Sequence, residues 1–430
     1  MYKYNERGVN MQLPGYYEFC SRVKMIAGHK ALEEIPEALL NLKAEKPLII
    51  TDKGVAGAGL IKQVTAAMNK AKKGSKVKVG ATYDDVPPDS DIKVVNEVAK
   101  LYKSKKCDSI IAVGGGSVLD TAKGVNIVVS ENASDLMQYA GYGAIKRKLN
   151  PVIAIPTTSG TGSEMTLAAV IADHSKNIKM VFGSYFLLPD YAIIDSRMTK
   201  TLPASITAFT AMDALTHAIE AYTCLGKNPL SDTMAMSAIQ LITQNVVNVV
   251  KKPNDMDGRL ALANASAMAG IAFSNSMVGM VHTLGHATGG VCHVPHGICM
   301  NILLPYGLEY NMHKTGKYIG ELLYPMAGEE VYNSTPKKER PMKTVEHVRK
   351  LIQDLHDATD GKHPRWFKEV YDRDGNQMVP REKLPDVAKT AMSDASQFYN
   401  PEDLDYNDFL WVMENAWEGT PLDRKKVKKG

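Results

Sequence analysis

The chain changes its hydrophobic pattern once, near Leu202, and that change limits what it can fold into. Before it, short apolar runs alternate with helical periodicity: PLIIT (47–51), KVKVG (76–80), SIIAV (109–113), PVIAI (151–155) and YAIID (191–195). Each run is short, rich in β-branched residues and bounded by Gly, Pro or Asp, as buried strands are. Segments 90–105 and 117–129 between them carry helical spacing. Strand–helix alternation predicts a wound parallel sheet. After Leu202 the pattern is helical only, in ITAFTAMDALTHAIEAYT, SDTMAMSAIQLITQNVVNVV and GRLALANASAMAGIAFSNSM. The second of these opens with Ser231 as its expected N-cap. The expectation is an α/β domain over 1–202 with a Rossmann-like parallel sheet, followed by an all-helical domain over 203–430. Within the latter, DRDGNQMVPREK reads as a surface hairpin.

Charge and cysteine content exclude several classes. With 51 basic and 47 acidic residues the formal charge is +4, too balanced for a nucleic-acid binder. The basic tail DRKKVKKG reads as a solvated end. No apolar run approaches membrane-spanning length, and MYKYNERGVN has no secretory apolar core. Five cysteines, at 20, 107, 224, 292 and 299, form no CxxC pair, which points to a reduced, cytoplasmic protein.

Two polar loops stand at the ends of two expected strands. In SIIAVGGGSVLDTAKG the strand runs into Gly114, Gly115, Gly116 and Ser117 and then a helix, a backbone that admits a pyrophosphate close to a helix N-terminus. The spacing is not GxGxxG. In PVIAIPTTSGTGSE a second strand runs into Thr157, Thr158, Ser159, Thr161 and Ser163. Ligands of open α/β sheets bind beyond the carboxyl ends of strands, so two such loops suggest one crevice. Asp52, after the strand PLIIT, suits a ribose 2′-hydroxyl and repels a 2′-phosphate, which favours NAD over NADP.

The helical half carries a different constellation. In AMDALTHAIEAY, Asp213 and His217 are four apart and therefore share one face of an apolar helix. A buried carboxylate is costly unless paired or bound to a metal. GMVHTLGHATGGVCHVPHG holds four of the eleven histidines: His282, His286, His293 and His296. Imidazole with carboxylate suits a divalent first-row metal such as Fe(II), Zn, Mn or Co. Spacing alone does not choose among the four histidines.

These stretches, with NILLPYGLEYN, resemble the iron-containing (group III) alcohol dehydrogenase family, in order from about residue 105 to 312, with weaker similarity reaching YNPEDLDYNDFLWVMENAW. The resemblance implies one divalent metal, Fe(II) foremost, held by Asp213, His217, His282 and His296. It makes His286 a site histidine near the nicotinamide rather than a ligand, and gives His293 no counterpart among the ligands. It implies a metal-dependent dehydrogenase passing hydride between a small primary alcohol, or its aldehyde, and NAD, with His286 relaying a proton. Asp120 and Lys179 complete the cofactor set, and Ala168, Phe273 and Val278 are the substrate-wall candidates. A homodimer or larger homo-oligomer is expected. A zinc-type polyol dehydrogenase, a lyase of the dehydroquinate synthase type and a non-catalytic metal-stabilised binding protein are the rival readings. The chain departs from the family at Val118, at YDDVPPDSD and at Asn400-Pro401-Glu402, and exceeds its usual length mainly through 327–385.

Overall fold

The computed structural model describes residues 14–70, 77–173 and 178–427. The sequence MYKYNERGVN and the last residues of the basic tail lie outside them. Among the described residues two compact units form: Cys20–Leu202 with Pro253–Gly270, and Pro203–Lys252 with 271–427 and 14–19.

The first unit is built on a six-stranded all-parallel sheet. Its strands are β1 (Lys24–Gly28), β2 (Pro47–Ile50), β3 (Ala81–Tyr83), β4 (Ser109–Gly114), β6 (Val152–Pro156) and β9 (Tyr191–Asp195), in the order β1-β9-β6-β4-β2-β3. A three-stranded sheet of β5 (Gly141–Tyr142), β8 (Ile178–Gly183) and β7 (Ala168–Asp173) accompanies it. β2, β4, β6 and β9 are buried along their whole length. This explains their unbroken apolar runs, because both faces are covered. Ile49, Ile111 and Ile153 pack with Leu60 and Val64 on one face. Leu48, Ile50 and Ile110 pack on the other with α1 (Ile92–Ser104) and α2 (Gly116–Glu131). The winding direction reverses between β2 and β4, so a ligand crevice belongs at their carboxyl ends.

KVKVG does not become a strand. Lys76 is outside the described residues, and 77–80 run irregularly beside β2, with Gly80 N–H donating to the Pro47 carbonyl. The ladder begins one residue later, at Ala81. The half-exposed edge strand β1 and the β7/β8 hairpin escape a search for continuous apolar runs because they are only partly buried.

The second unit is helical: α3 (Ala204–Thr223), α4 (Pro229–Lys251), the last turn of α5 (Met256–Ser274), α6 (Met280–Cys292), α7 (His296–Glu321), α8 (Arg340–Ala358), α9 (Leu384–Ala391) and α10 (Tyr406–Glu418). Its only described β pairing is the single bridge Tyr371–Gln377, which closes the turn in DRDGNQ. The rest of α5 belongs to the first unit. There Arg259, 2% exposed, donates to the Thr199 carbonyl.

α4 starts earlier than expected. Asn228 is its N-cap and Pro229 its first residue, while Ser231 is the reciprocal partner at the third position. The segment 327–385 is no surface appendage. Val345, Val348, Leu351, Ile352 and Leu355 of α8 are buried. His363 is fully buried, stacked on Phe209 and bonded to Asn301 of α7.

Candidate metal centre and cofactor loops

α3 is rich in alanine and buried from Ala211 to Thr223, so its polar positions face protein on every side. Asp213, His217 and Glu220 lie on one stripe, at spacings of four and three. α7 approaches at its first residues. A side chain at Gly297 would put its Cβ 2.7 Å from the Phe209 carbonyl oxygen, so only glycine lets His296 sit beside α3. α6 supplies His282.

The three buried groups Asp213, His217 and His282 each point a ligand atom to one place, all within 4.8 Å of one another. Asp213 Oδ1 lies 3.7 Å from His217 Nδ1 and 4.0 Å from His282 Nε2. All three atoms are buried without a hydrogen-bond partner. His296 Nε2 approaches Asp213 Oδ1 to 3.3 Å, and its ring is about one-third exposed. Orphaned buried polar atoms are rare because each forfeits its hydration. Here they form one carboxylate and neutral imidazoles converging on a point, the donor set of a divalent transition metal. Burial drives the His217 imidazole down to about 3 and that of His282 well below its ordinary value. Both are therefore neutral at physiological pH, with a lone pair to give. Burial alone pushes the Asp213 carboxyl up, but the His217, His296 and His282 imidazoles, where they are protonated in acid, outweigh it and hold the group low. The residues fit a metal.

The other candidates fall around this centre as follows. His286 is exposed, stacks on His296 with ring centroids 5.3 Å apart, and places Nδ1 2.8 Å from Asp394 Oδ2. His293 is exposed and ends α6 in the left-handed conformation, with φ 56°. Phe273 stacks on His217 at 4.1 Å, and Val278 is buried just before α6. Ala168 belongs to the other unit, at the start of β7.

Two groups near the metal site were missed in the sequence. Glu220 was legible, because it continues the Asp213–His217 stripe. Asp394 was not, because 108 residues separate it from His286 and no spacing signals the pair. The departure at Glu402 is compensated locally. Its carboxylate, 4% exposed, pairs with His313 at 2.7 Å and Lys314 at 3.3 Å.

In the first unit the two expected loops meet at the carboxyl ends of β4 and β6. A Cβ at Gly116 would stand 2.7 Å from Thr161 Cγ2, and one at Gly115 3.2 Å from Thr158 Cγ2. No side chain caps α2, which begins at Gly116, so its first N–H groups are left for an anion. That cradle fits a dinucleotide pyrophosphate. Thr157 is buried, its N–H donating to the Gly114 carbonyl. Thr158 and Thr161 are half-buried. Ser117 Oγ accepts from the Asp89 N–H, and Asp89 pairs with Lys179 at 3.0 Å, which sets Lys179 beside the loop. Asp52 follows β2 on the neighbouring strand, and one of its oxygens caps the short helix Lys53–Gly57 by accepting from Val55 N–H. Asp120 turns inward, taking Ser163 Oγ–H at 2.7 Å and Val170 N–H at 2.9 Å. Lys123 reinforces the same scaffold, donating to Ser163, Thr166 and Ala168. Among the described residues no helix is long and apolar enough to cross a membrane.

Comparison with known proteins covers both parts of the chain. Residues 23–196 match the family model of iron-containing alcohol dehydrogenase, and 207–417 match that of the Fe-containing alcohol dehydrogenase family, C-terminal. The chain is 33% identical over 396 residues to the NAD-dependent methanol dehydrogenase of Bacillus methanolicus, covering 91% of this chain and 97% of that one. The crystal structure of a 1,3-propanediol oxidoreductase superposes with a TM-score of 0.86 at 29% identity, over 93% of this chain and all of that one. An alcohol dehydrogenase from Oenococcus oeni gives 0.85 at 30% identity, over 94% of this chain and all of that one.

Proposed function

The chain belongs to the iron-containing alcohol dehydrogenase family, and on that premise we propose how its own residues serve a metal-dependent, NAD-linked dehydrogenase of small primary alcohols and their aldehydes. One observation carries the reading: three buried ligand atoms without hydrogen-bond partners, from Asp213, His217 and His282, converge on one point.

Asp213, His217, His282 and His296 hold the metal in this reading. When bound, the metal supplies Lewis-acid polarisation of the alcohol or aldehyde oxygen, and NAD accepts or returns the hydride. Gly114, Gly115, Gly116 and Ser117, with Thr157, Thr158 and Thr161, receive the pyrophosphate. Asp52 selects the unphosphorylated ribose. Lys179 stands beside Ser117 as a further cofactor contact, and Asp120 acts on the cofactor through the Ser163 loop. His286 carries the alcohol proton to solvent, a role suited to an exposed imidazole held at Nδ1 by Asp394. Phe273, Val278 and Ala168 are the apolar wall candidates. Five free cysteines suit a reducing cytoplasm. A homodimer or larger homo-oligomer suits a sheet whose edge strand β1, among the described residues, pairs on one side only.

The test is reduced-nicotinamide absorbance with Fe(II)-loaded protein and a panel of short primary alcohols. Alcohol-dependent NAD reduction, lost in Asp213→Ala, is expected. Absence of turnover with every primary alcohol and aldehyde would leave a binding protein.

A further inference from the structure

Glu220 is a buried carboxylate of the second unit, at 6% exposure, and it is not in the set of atoms that converge on the metal position. One oxygen, Oε2, lies 2.5 Å from His282 Nδ1. The other, Oε1, accepts the Val281 N–H at 2.8 Å. In its ionised form the carboxylate only accepts, which puts the hydrogen of this contact on His282 Nδ1 and leaves the lone pair on Nε2, the atom that faces Asp213. The carboxylate also supplies charge. A dication with Asp213 and neutral imidazoles would leave one uncompensated positive charge in a buried site, and Glu220 in its ionised form would bring the sum to zero.

A second residue holds the same end of α6 without touching the histidine. Asn400 Oδ1 accepts the Met280 N–H at 3.2 Å and the Asn311 amide at 2.9 Å. The two residues share the helix-anchoring role. Only Glu220 reaches the imidazole.

We propose that Glu220 is a positioning residue for the metal site, fixing the His282 tautomer and ring orientation and tightening metal binding through it. The proposal rests on His282 being a ligand. Carboxylates placed behind a ligating histidine are worth about 10- to 100-fold in metal affinity.

The test is competition for Zn(II) between a chromogenic chelator and the metal-stripped full-length protein, with the melting temperature of each stripped protein measured alongside. Glu220→Ala is expected to weaken Zn(II) binding by about 10- to 100-fold. Glu220→Gln should fall between it and the native protein, because the uncharged carboxamide oxygen can serve His282 or Val281 but not both. Asn400→Ala should lower the melting temperature and leave Zn(II) affinity near native. Native Zn(II) affinity in Glu220→Ala, with a melting temperature lowered as in Asn400→Ala, would reduce Glu220 to a helix anchor and overturn the proposal. If Glu220→Ala does not fold, Glu220→Gln decides: weakened Zn(II) binding supports the proposal, and native affinity overturns it. His282→Ala separates the premise: native Zn(II) affinity in that variant would remove His282 from the ligand set, and the proposal with it.

Discussion

In the proposed reading, the metal centre and the cofactor loops solve the problem of holding a ligand in opposite ways. The centre uses side chains: one carboxylate and imidazoles, of which Asp213 Oδ1, His217 Nδ1 and His282 Nε2 are buried without a hydrogen-bond partner. The loops use backbone: Gly115 and Gly116 lie against Thr158 and Thr161 so closely that a methyl group would have to displace them. Side-chain chemistry concentrates binding in a few atoms, so single substitutions there should be severe and specific. Backbone cradles spread it over several N–H groups, so the charges around them tune selectivity more than they decide binding.

That contrast is broken most directly at the ligands. Asp213→Ala or His296→Ala should lose metal and lower turnover well beyond about 100-fold, since even a residue behind a ligand is worth that much. His293→Ala should keep both. Equal metal loss in His293→Ala and His296→Ala, read by metal analysis, would show that the wrong histidine had been assigned. Next in size is His286→Ala. Metal content near one per chain with turnover reduced about 100-fold is expected of a missing proton carrier. Metal loss would make it a ligand, and a lowered melting temperature at unchanged turnover would make it packing.

The loop region should respond more mildly. Asp52→Asn keeps an oxygen for the Val55 N–H but removes the charge, so the preference for NAD over NADP should shrink by about tenfold. A native protein already favouring NADP would contradict the role given to Asp52. The smallest effect expected on catalysis is at Glu164, which is 1% exposed with one oxygen unpartnered. Burial pushes its carboxyl from 4.5 to about 7. The folded state therefore binds the proton more tightly than the unfolded chain between those values. Its contribution favours folding at acid pH and is lost as pH rises through that window, by up to about 3 kcal/mol. Glu164→Gln should flatten this slope and raise the melting temperature at pH 8 more than at pH 5. A rise equal at both pH values would show that the group does not titrate there.

What could be read without coordinates follows the same division. Residue type and helical spacing announced Asp213 with His217, and His282 with His286, because both signals are local. The central strands were plain because burial on both faces makes them continuously apolar. β1 and the β7/β8 hairpin were hidden because partial exposure breaks that run. The start of the β2 partner was misread at KVKVG because alternating Lys and Val imitates a strand where the chain runs irregularly. Asp394 and Asn400 act across more than a hundred residues, and only the fold brings them to α6. Choosing His296 over His293 needed the family resemblance, and the geometry now gives His293 a separate place at the left-handed end of α6.

The central claim is that Asp213 and the three histidines hold a metal on which turnover depends. It is tested most directly by assaying NAD-linked alcohol oxidation in protein stripped of metal by a chelator, verified metal-free by elemental analysis, and then titrated with Fe(II). The expected result is no turnover in the stripped protein and recovery that saturates at one Fe(II) per chain. Full activity in the verified metal-free protein would contradict it.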